Sequence, residues 1–259
     1  MSDNSGYKVD TTAPTVDSFT LSDTALKAGD TATVTLVFSE AVASFSSSAD
    51  MTVANGSLAT MTSADSVTWA GTFTPTTNTE DTTNTLSLAT SYTDLAGNNG
   101  PAATSANYVV ETLAPTVSSV AITSASGVQN SLLNAGDVVS VTATFSEAVI
   151  VDNASGNPTL TLVVGSNNRT ATYASGSGSD DLVFRYTIQS GETDSNGISI
   201  GANALALNSS TIRDAALNNA ILTHSAVSDN SSVKVDTTLP TVSSAVSYTH
   251  LTLPTILLV

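Results

Sequence analysis

"VTLVFSEAV" at residues 34–42 returns as "VTATFSEAV" at residues 141–149. In the first copy Ala32, Val34, Leu36 and Phe38 fall on one face at period two, with Glu40 and Val42 in phase. Val139, Val141, Ala143 and Phe145 do the same in the second, with Glu147 in phase. Alternation of this kind predicts a half-buried strand. A carboxylate at the end of its apolar face costs free energy unless something compensates it, so the repeated placement calls for a partner.

Around these strands the chain repeats itself. YKVDTTAPTVDS from Tyr7, YVVETLAPTVSS from Tyr108 and VKVDTTLPTVSS from Val233 punctuate it, with Pro14 and Pro115 101 positions apart and Pro115 and Pro240 125 apart. These are domain-sized periods. Inside each period Ala-Gly-Asp (Asp30, Asp137), Phe-Ser-Glu-Ala-Val and an Asp/Asn-rich motif (DLAGNN at Asp94, DAALNN at Asp214) recur in order. Gly-Asp to glutamate is 10 residues in both copies, whereas glutamate to the later aspartate is 54 in one and 67 in the other. A rigid strand followed by variable hairpins is the expectation. The extra length of the second copy reads partly as strand, turn at 165–168, strand, Ser/Gly turn, strand. Helical periodicity is nearly absent, and about seven short strands per period predict a β-sandwich with Greek-key connections.

Twenty-two acidic residues against six basic ones give a net charge of -16. Phosphate recognition needs clustered Lys and Arg, so nucleic acid and anionic membrane are poor partners and a divalent cation is a better one. With no cysteine there is neither a disulfide framework nor a thiolate metal site. The N-terminal MSDNSGYKVD has no basic start and no apolar h-region, and no apolar run approaches the ~20 residues that span a bilayer.

The ordered set D-T-T-A-P-T-V, A-G-D, F-S-E-A-V and Y-T-D-L-A-G-N resembles the bacterial immunoglobulin-like repeats of very large surface adhesins and biofilm-associated proteins, over residues 7–244. Residues 113–236 look like a longer variety of the repeat. The resemblance implies an Ig-like fold, tandem arrangement, export to the cell surface and, in many members, calcium at the junctions. Glu111 departs from the usual junction aspartate, and Ala216-Leu217 from the Ala-Gly of the last motif.

Strand parity brings distant oxygens together. With seven strands running alternately up and down, the start of the first strand, the B-C loop and the F-G loop share one pole, which gathers Asp10, Glu40 and Asp94 with Asn98. In the second copy the set is Glu111, Glu147 and Asp214 with Asn218. Asp30, Asp81 and Glu111 fall at the opposite pole of the first sandwich, facing Glu147, Asp214 and Asn218 of the second. Calcium takes six to eight oxygens in flexible geometry and suits such sets better than magnesium or zinc. The alternatives are that Glu40 accepts backbone N–H groups at the B-C corner, and that Asp94 and Asp214 form Asx turns. GETDSNGISI places Glu192, Asp194, Asn196 and Gly197 at partial calcium-loop spacing, but Asn203 stands where a bidentate glutamate is needed, so a polar turn is the expectation. GSGSDDLVF resembles a single calcium nonapeptide, which cannot stack alone.

Catalysis finds little support: His224 and His250 stand outside any motif, no G-x-S-x-G or H-E-x-x-H is present, paired carboxylates that could hydrolyse glycosides sit at predicted poles rather than in an aromatic-lined cleft, and the one tryptophan, Trp69, reads as core. The sequence therefore predicts an all-β protein of two tandem Ig-like Greek-key β-sandwiches in an elongated arrangement. Residues 1–9 read as the end of a preceding repeat, 10–111 and 112–236 as the sandwiches, 237–244 as the start of a third, and 245–259 as a non-native tail or, alternatively, a terminal strand. The function expected is a calcium-rigidified stalk of an extracellular, cell-surface adhesin, partnered by neighbouring repeats. A glycan- or cell-binding module and an accessory domain of a secreted polysaccharide-active enzyme are the alternatives.

Overall fold

The computed structural model describes residues 8–246; the expectations for residues 1–7 and for most of the tail, 247–259, lie outside them. The first sandwich contains β1 (Val16–Leu21), β2 (Ala25–Lys27), β3 (Ala32–Phe38), a single helical turn α1 (Ser47–Asp50), β4 (Met51–Val53), β5 (Gly56–Leu58), β6 (Thr68–Pro75), β7 (Glu80–Asn84), β8 (Leu86–Leu88), β9 (Ala103–Thr104) and β10 (Tyr108–Glu111). One layer is β1-β3-β6-β5, and the facing layer is made of β2-β10-β7 and β4-β8-β9. Because β7 and β8 are separated by Thr85 alone, and β9 and β10 by three residues, the facing layer reads across as β2, β9/β10, β7/β8, β4. β2 pairs with β10 in parallel while the other ladders are antiparallel. This is the two-layer Ig arrangement, in which the last strand lies between the split first strand and its hairpin neighbour.

Period-two patterning drives it. In β3, Ala32, Val34, Leu36 and Phe38 are buried, while Thr33 is exposed and Thr35 and Val37 are half-buried. They pack with Phe73, Leu86, Leu88, Tyr92, Tyr108 and Val110, closed by the edge-to-face pairs Phe38–Phe45 and Phe73–Tyr108. Trp69 is half-buried at the margin of this core, against Phe45, and its indole N–H reaches the Ser66 carbonyl at 3.2 Å.

The second sandwich contains β11 (Val117–Ser126), β12 (Leu132–Leu133), β13 (Val138–Asp152), β14 (Thr159–Val164), β15 (Asn167–Ser175), β16 (Ser179–Thr187), β17 (Thr193–Asp194), β18 (Leu205–Ala206), β19 (Thr211–Arg213) and β20 (Lys234–Asp236). Its layers are β11-β13-β16-β15-β14-β18, with β19 on the end of β13, and β12-β20-β17. The parallel β12–β20 pair repeats the β2–β10 pair. The β14–β15 hairpin turns on Gly165 (φ 60) and Ser166, the pattern of a II′ turn with glycine first. The two sandwiches have separate cores with no shared member.

One difference bears on the site. β3 stops at Phe38, two residues before its glutamate, whereas β13 runs on through Glu147 to Asp152 and pairs its far end with β19. Its ladder to β16 shifts register between Thr144 and Val149, so Glu147 stands in an interruption of the pairing rather than at a strand end.

Candidate cation sites at the sandwich poles

Neither glutamate of the repeated motif enters a core; both are half-buried at a pole. The serine before each explains how. Ser39 and Thr15 exchange bonds, with Ser39 N–H donating to the Thr15 carbonyl and Thr15 N–H to Ser39 Oγ, both at 2.9 Å. Ser146 and Thr116 repeat the exchange at 2.8 and 3.0 Å. The motif thus clamps the incoming Pro-Thr linker and sets its own glutamate beside the linker's acid. This role of serine escaped the sequence reading, although Pro-Thr and Phe-Ser-Glu recur together.

At the first pole the bridge between Val42 and Asp94 joins the loop after β3 to the loop after β8. Asp10, Glu40 and Asp94 each offer a carboxylate oxygen, and these atoms all lie within 4.8 Å of one another. Asp94 is fixed as an Asx turn: Oδ1 accepts the amides of Ala96 (2.8 Å) and Asn98 (2.9 Å), and Oδ2 accepts Asn98 Nδ2 (2.7 Å). That amide holds its carboxyl below the usual aspartate value of 3.8. Asn98 Nδ2 also reaches the carbonyls of Asp10 (3.3 Å) and Thr12 (3.2 Å). Glu40 accepts no hydrogen bond and has no ion-pair partner among the described residues, so the anticipated backbone cap does not form. Partial burial, then Asp10 and Asp94, raise its carboxyl above the ordinary 4.5.

The second pole faces the first sandwich. Asp214 Oδ1 accepts Asn218 N–H and Oδ2 accepts Asn218 Nδ2, both at 2.8 Å, and Nδ2 reaches the Glu111 carbonyl at 2.9 Å. Asn218 Oδ1 accepts the amide of Ala28 across the junction, at 2.9 Å. An N–H can only donate and a carboxylate can only accept, so these partners dictate which way the amide points. Asn218, expected as an oxygen ligand, is instead committed at both ends of its side chain. Glu147, like Glu40, accepts no hydrogen bond among the described residues. Partial burial and then Asp214, Glu111 and Glu80 raise its carboxyl, and Glu111 is raised by burial, Glu80 and Asp214.

The opposite pole of the first sandwich differs in composition from the expectation. Asp30 is neutralised by Lys27 Nζ at 2.8 Å, and Asp81 accepts Asn55 Nδ2 at 2.8 Å. The acid that faces the junction is Glu80, directly across the β7–β10 ladder from Glu111. Alternation along 80–84 was the signal available, since neighbouring acids on a strand point to opposite faces.

Oxygen-only donor sets with an unpaired glutamate fit a hard cation. Asp10, Glu40 and Asp94 would hold it at the first pole. At the second pole the charge of Asp214 acts on Glu111 and Glu147, and that of Glu111 on Glu147, but with Asn218 engaged elsewhere these three form the looser set.

Residues 10–110 match the family model of the bacterial Ig-like domain. The first sandwich is therefore a bacterial Ig-like domain, a non-catalytic kind of module that occurs typically in surface and exported proteins. The search of curated proteins gave no match. Among the described residues no helix is long and apolar enough to cross a membrane.

Proposed function

We propose that the chain is a spacer: tandem Ig-like repeats that extend a distal part of a large exported adhesin from the cell, stiffened by calcium at their poles, and with no catalytic role. The observation that carries the calcium reading is the motif glutamate. In the first sandwich its carboxylate lies within 4.8 Å of the Asx-turn aspartate and the linker acid, in the second Glu147 feels the charge of Asp214 and Glu111, and neither glutamate has a hydrogen-bond donor or a basic partner among the described residues. Calcium bound there would neutralise three converging carboxylates and draw the linker acid onto the sandwich below it. No aromatic side chain is among the exposed large hydrophobics of the described residues, which weighs for a spacer over a glycan-binding surface.

Small-angle scattering on the chain with calcium and with chelator tests both parts. Two sandwiches end to end should give an elongated particle, broadened in its interdomain distribution by chelator and unchanged in its β-sheet circular dichroism. A compact particle would refute the spacer. Identical elongated profiles in both conditions would refute the calcium stiffening alone.

A further inference from the structure

Two bonds join Asn218 to the first sandwich, Nδ2 donating to the Glu111 carbonyl at the linker and Oδ1 accepting Ala28 N–H, and the second is a latch between loops distant in sequence. Each half of it has a counterpart in the other sandwich. The loop of Asn218 repeats the main bonds of that of Asn98: Asp94 N–H to Asn98 O (3.1 Å) answers Asp214 N–H to Asn218 O (3.2 Å), and each asparagine caps its aspartate through both backbone and side-chain nitrogens. The corner of Ala28 repeats at Ala135. Lys27 N–H to Asp30 Oδ2 (3.1 Å) answers Asn134 N–H to Asp137 Oδ2 (2.8 Å), and Gly29 (φ 88) answers Gly136 (φ 96). The strand exits match as well. Thr112 Oγ1 donates to the Thr76 carbonyl and accepts Thr79 N–H, as Thr237 Oγ1 donates to the Glu192 carbonyl and accepts Gly191 N–H.

Two halves of the latch are left over. Asn98 Oδ1 and the amide of Ala135 have no partner among the described residues, and Asn98 is half-buried where Asn218, covered by the first sandwich, is 4% exposed. Building on the spacer reading, we infer that both poles dock further sandwiches of this same repeat type through this one latch. Asn98 Oδ1 accepts the Ala-Gly-Asp amide of a sandwich before it, and Ala135 N–H donates to the F-G asparagine of a sandwich after it. The latch fixes the rotation between neighbours independently of any cation, because it consists of one amide and one side-chain oxygen on rigid loops. Leu217 marks the same surface. It keeps a left-handed backbone (φ 75) where its counterpart is Gly97, and it lines the junction groove with Lys27, Ala28 and Ala114.

The chain has no cysteine, so single introduced thiols report docking between separate copies. Chains carrying Gly97→Cys and chains carrying Ala135→Cys, mixed at high concentration under mild oxidation, should form a mixed disulfide at least tenfold faster than Gly97→Cys with Ser118→Cys. A Cβ at position 97 would meet open space, and Leu217 carries a side chain at a similar left-handed φ. In the unmodified chain, amide exchange followed by NMR should be at least tenfold slower at Ala28 than at Ala135, and in the cross-linked pair the backbone amide at position 135 of the chain carrying Ala135→Cys should slow to the Ala28 rate. Equal exchange at Ala28 and Ala135 in the unmodified chain would overturn the latch, as would equal cross-linking rates or a cross-linked pair in which the amide at position 135 of the chain carrying Ala135→Cys stays fast. None of these outcomes alters the scattering result, so the latch and the spacer reading fail separately.

Discussion

Leu217 shows how the junction acts on a single residue. A non-glycine side chain at φ 75 sets its Cβ against the backbone, and the counterpart Gly97, at φ 94, avoids this. Leu217→Gly removes the strain but also the restriction that leucine places on the unfolded chain. The expected net effect is stabilisation of the second sandwich by about 0.5–1 kcal/mol, read from urea unfolding. A loss of stability instead would show that the contact of Leu217 with the junction groove outweighs its backbone strain.

At the scale of elements, carboxylates that resembled a calcium loop serve as staples. Glu192, 6% exposed, accepts Arg169 from β15, Tyr186 Oη from β16 at 2.6 Å and the amide of Gln189 at 2.9 Å. Asp194 accepts the amides of Gly165 (2.7 Å) and Gly197 (2.8 Å), tying the β14–β15 hairpin to the turn after β17. Tyrosine 186 is pushed up to about 12, first by burial and then by the charge and hydrogen bond of Glu192. Replacing Glu192 by alanine strands a guanidinium, a buried hydroxyl and an amide together. Glu192→Ala should cost about 2–3 kcal/mol, measured by chemical denaturation, and should leave the first sandwich unaffected. A change below half that size would mean that water replaces the glutamate.

For the whole molecule, the poles set the response to pH. Glu40, Glu111 and Glu147 have folded-state values above the ordinary 4.5, so their ionised forms oppose the native state. Their contribution is favourable below the unfolded value and is lost as pH rises through the raised one. Asp30, held down by Lys27, and Asp94, held down by Asn98, act the other way, as does Glu192, whose hydrogen bonds outweigh its burial. Their stabilisation is present above the ordinary carboxylate value and is lost as pH falls through the lowered ones. Thermal unfolding in calcium-free buffer should therefore show the melting temperature rising as pH falls from neutral to about 4.5, and declining further down. Calcium should flatten the upper limb. A melting temperature that falls steadily from pH 7 would mean that repulsion at the poles is too well screened to matter.

Strand identity and the gathering of Asp10, Glu40 and Asp94 follow from sequence alone. A period-two face with a buried Ala32, Val34, Leu36 and Phe38 can sit in only one register without exposing all four, and strand parity then fixes which loops share a pole. The repeated Ala-Gly-Asp, Phe-Ser-Glu-Ala-Val and Asp-x-x-x-Asn motifs likewise mark positions that every copy uses. What tertiary structure decided is how the atoms at those positions are spent. Side-chain amides have two different ends, and only the approach of Ala28 from 190 residues away determined that Asn218 Oδ1 accepts a backbone amide of the first sandwich. Pairing, too, is a matter of space rather than order along the chain. Lys27 removed Asp30 from the acidic set, the β7–β10 register put Glu80 into it, and β19 drew β13 onward past Glu147, because charge and hydrogen bonds act over a few ångströms that sequence distance does not record.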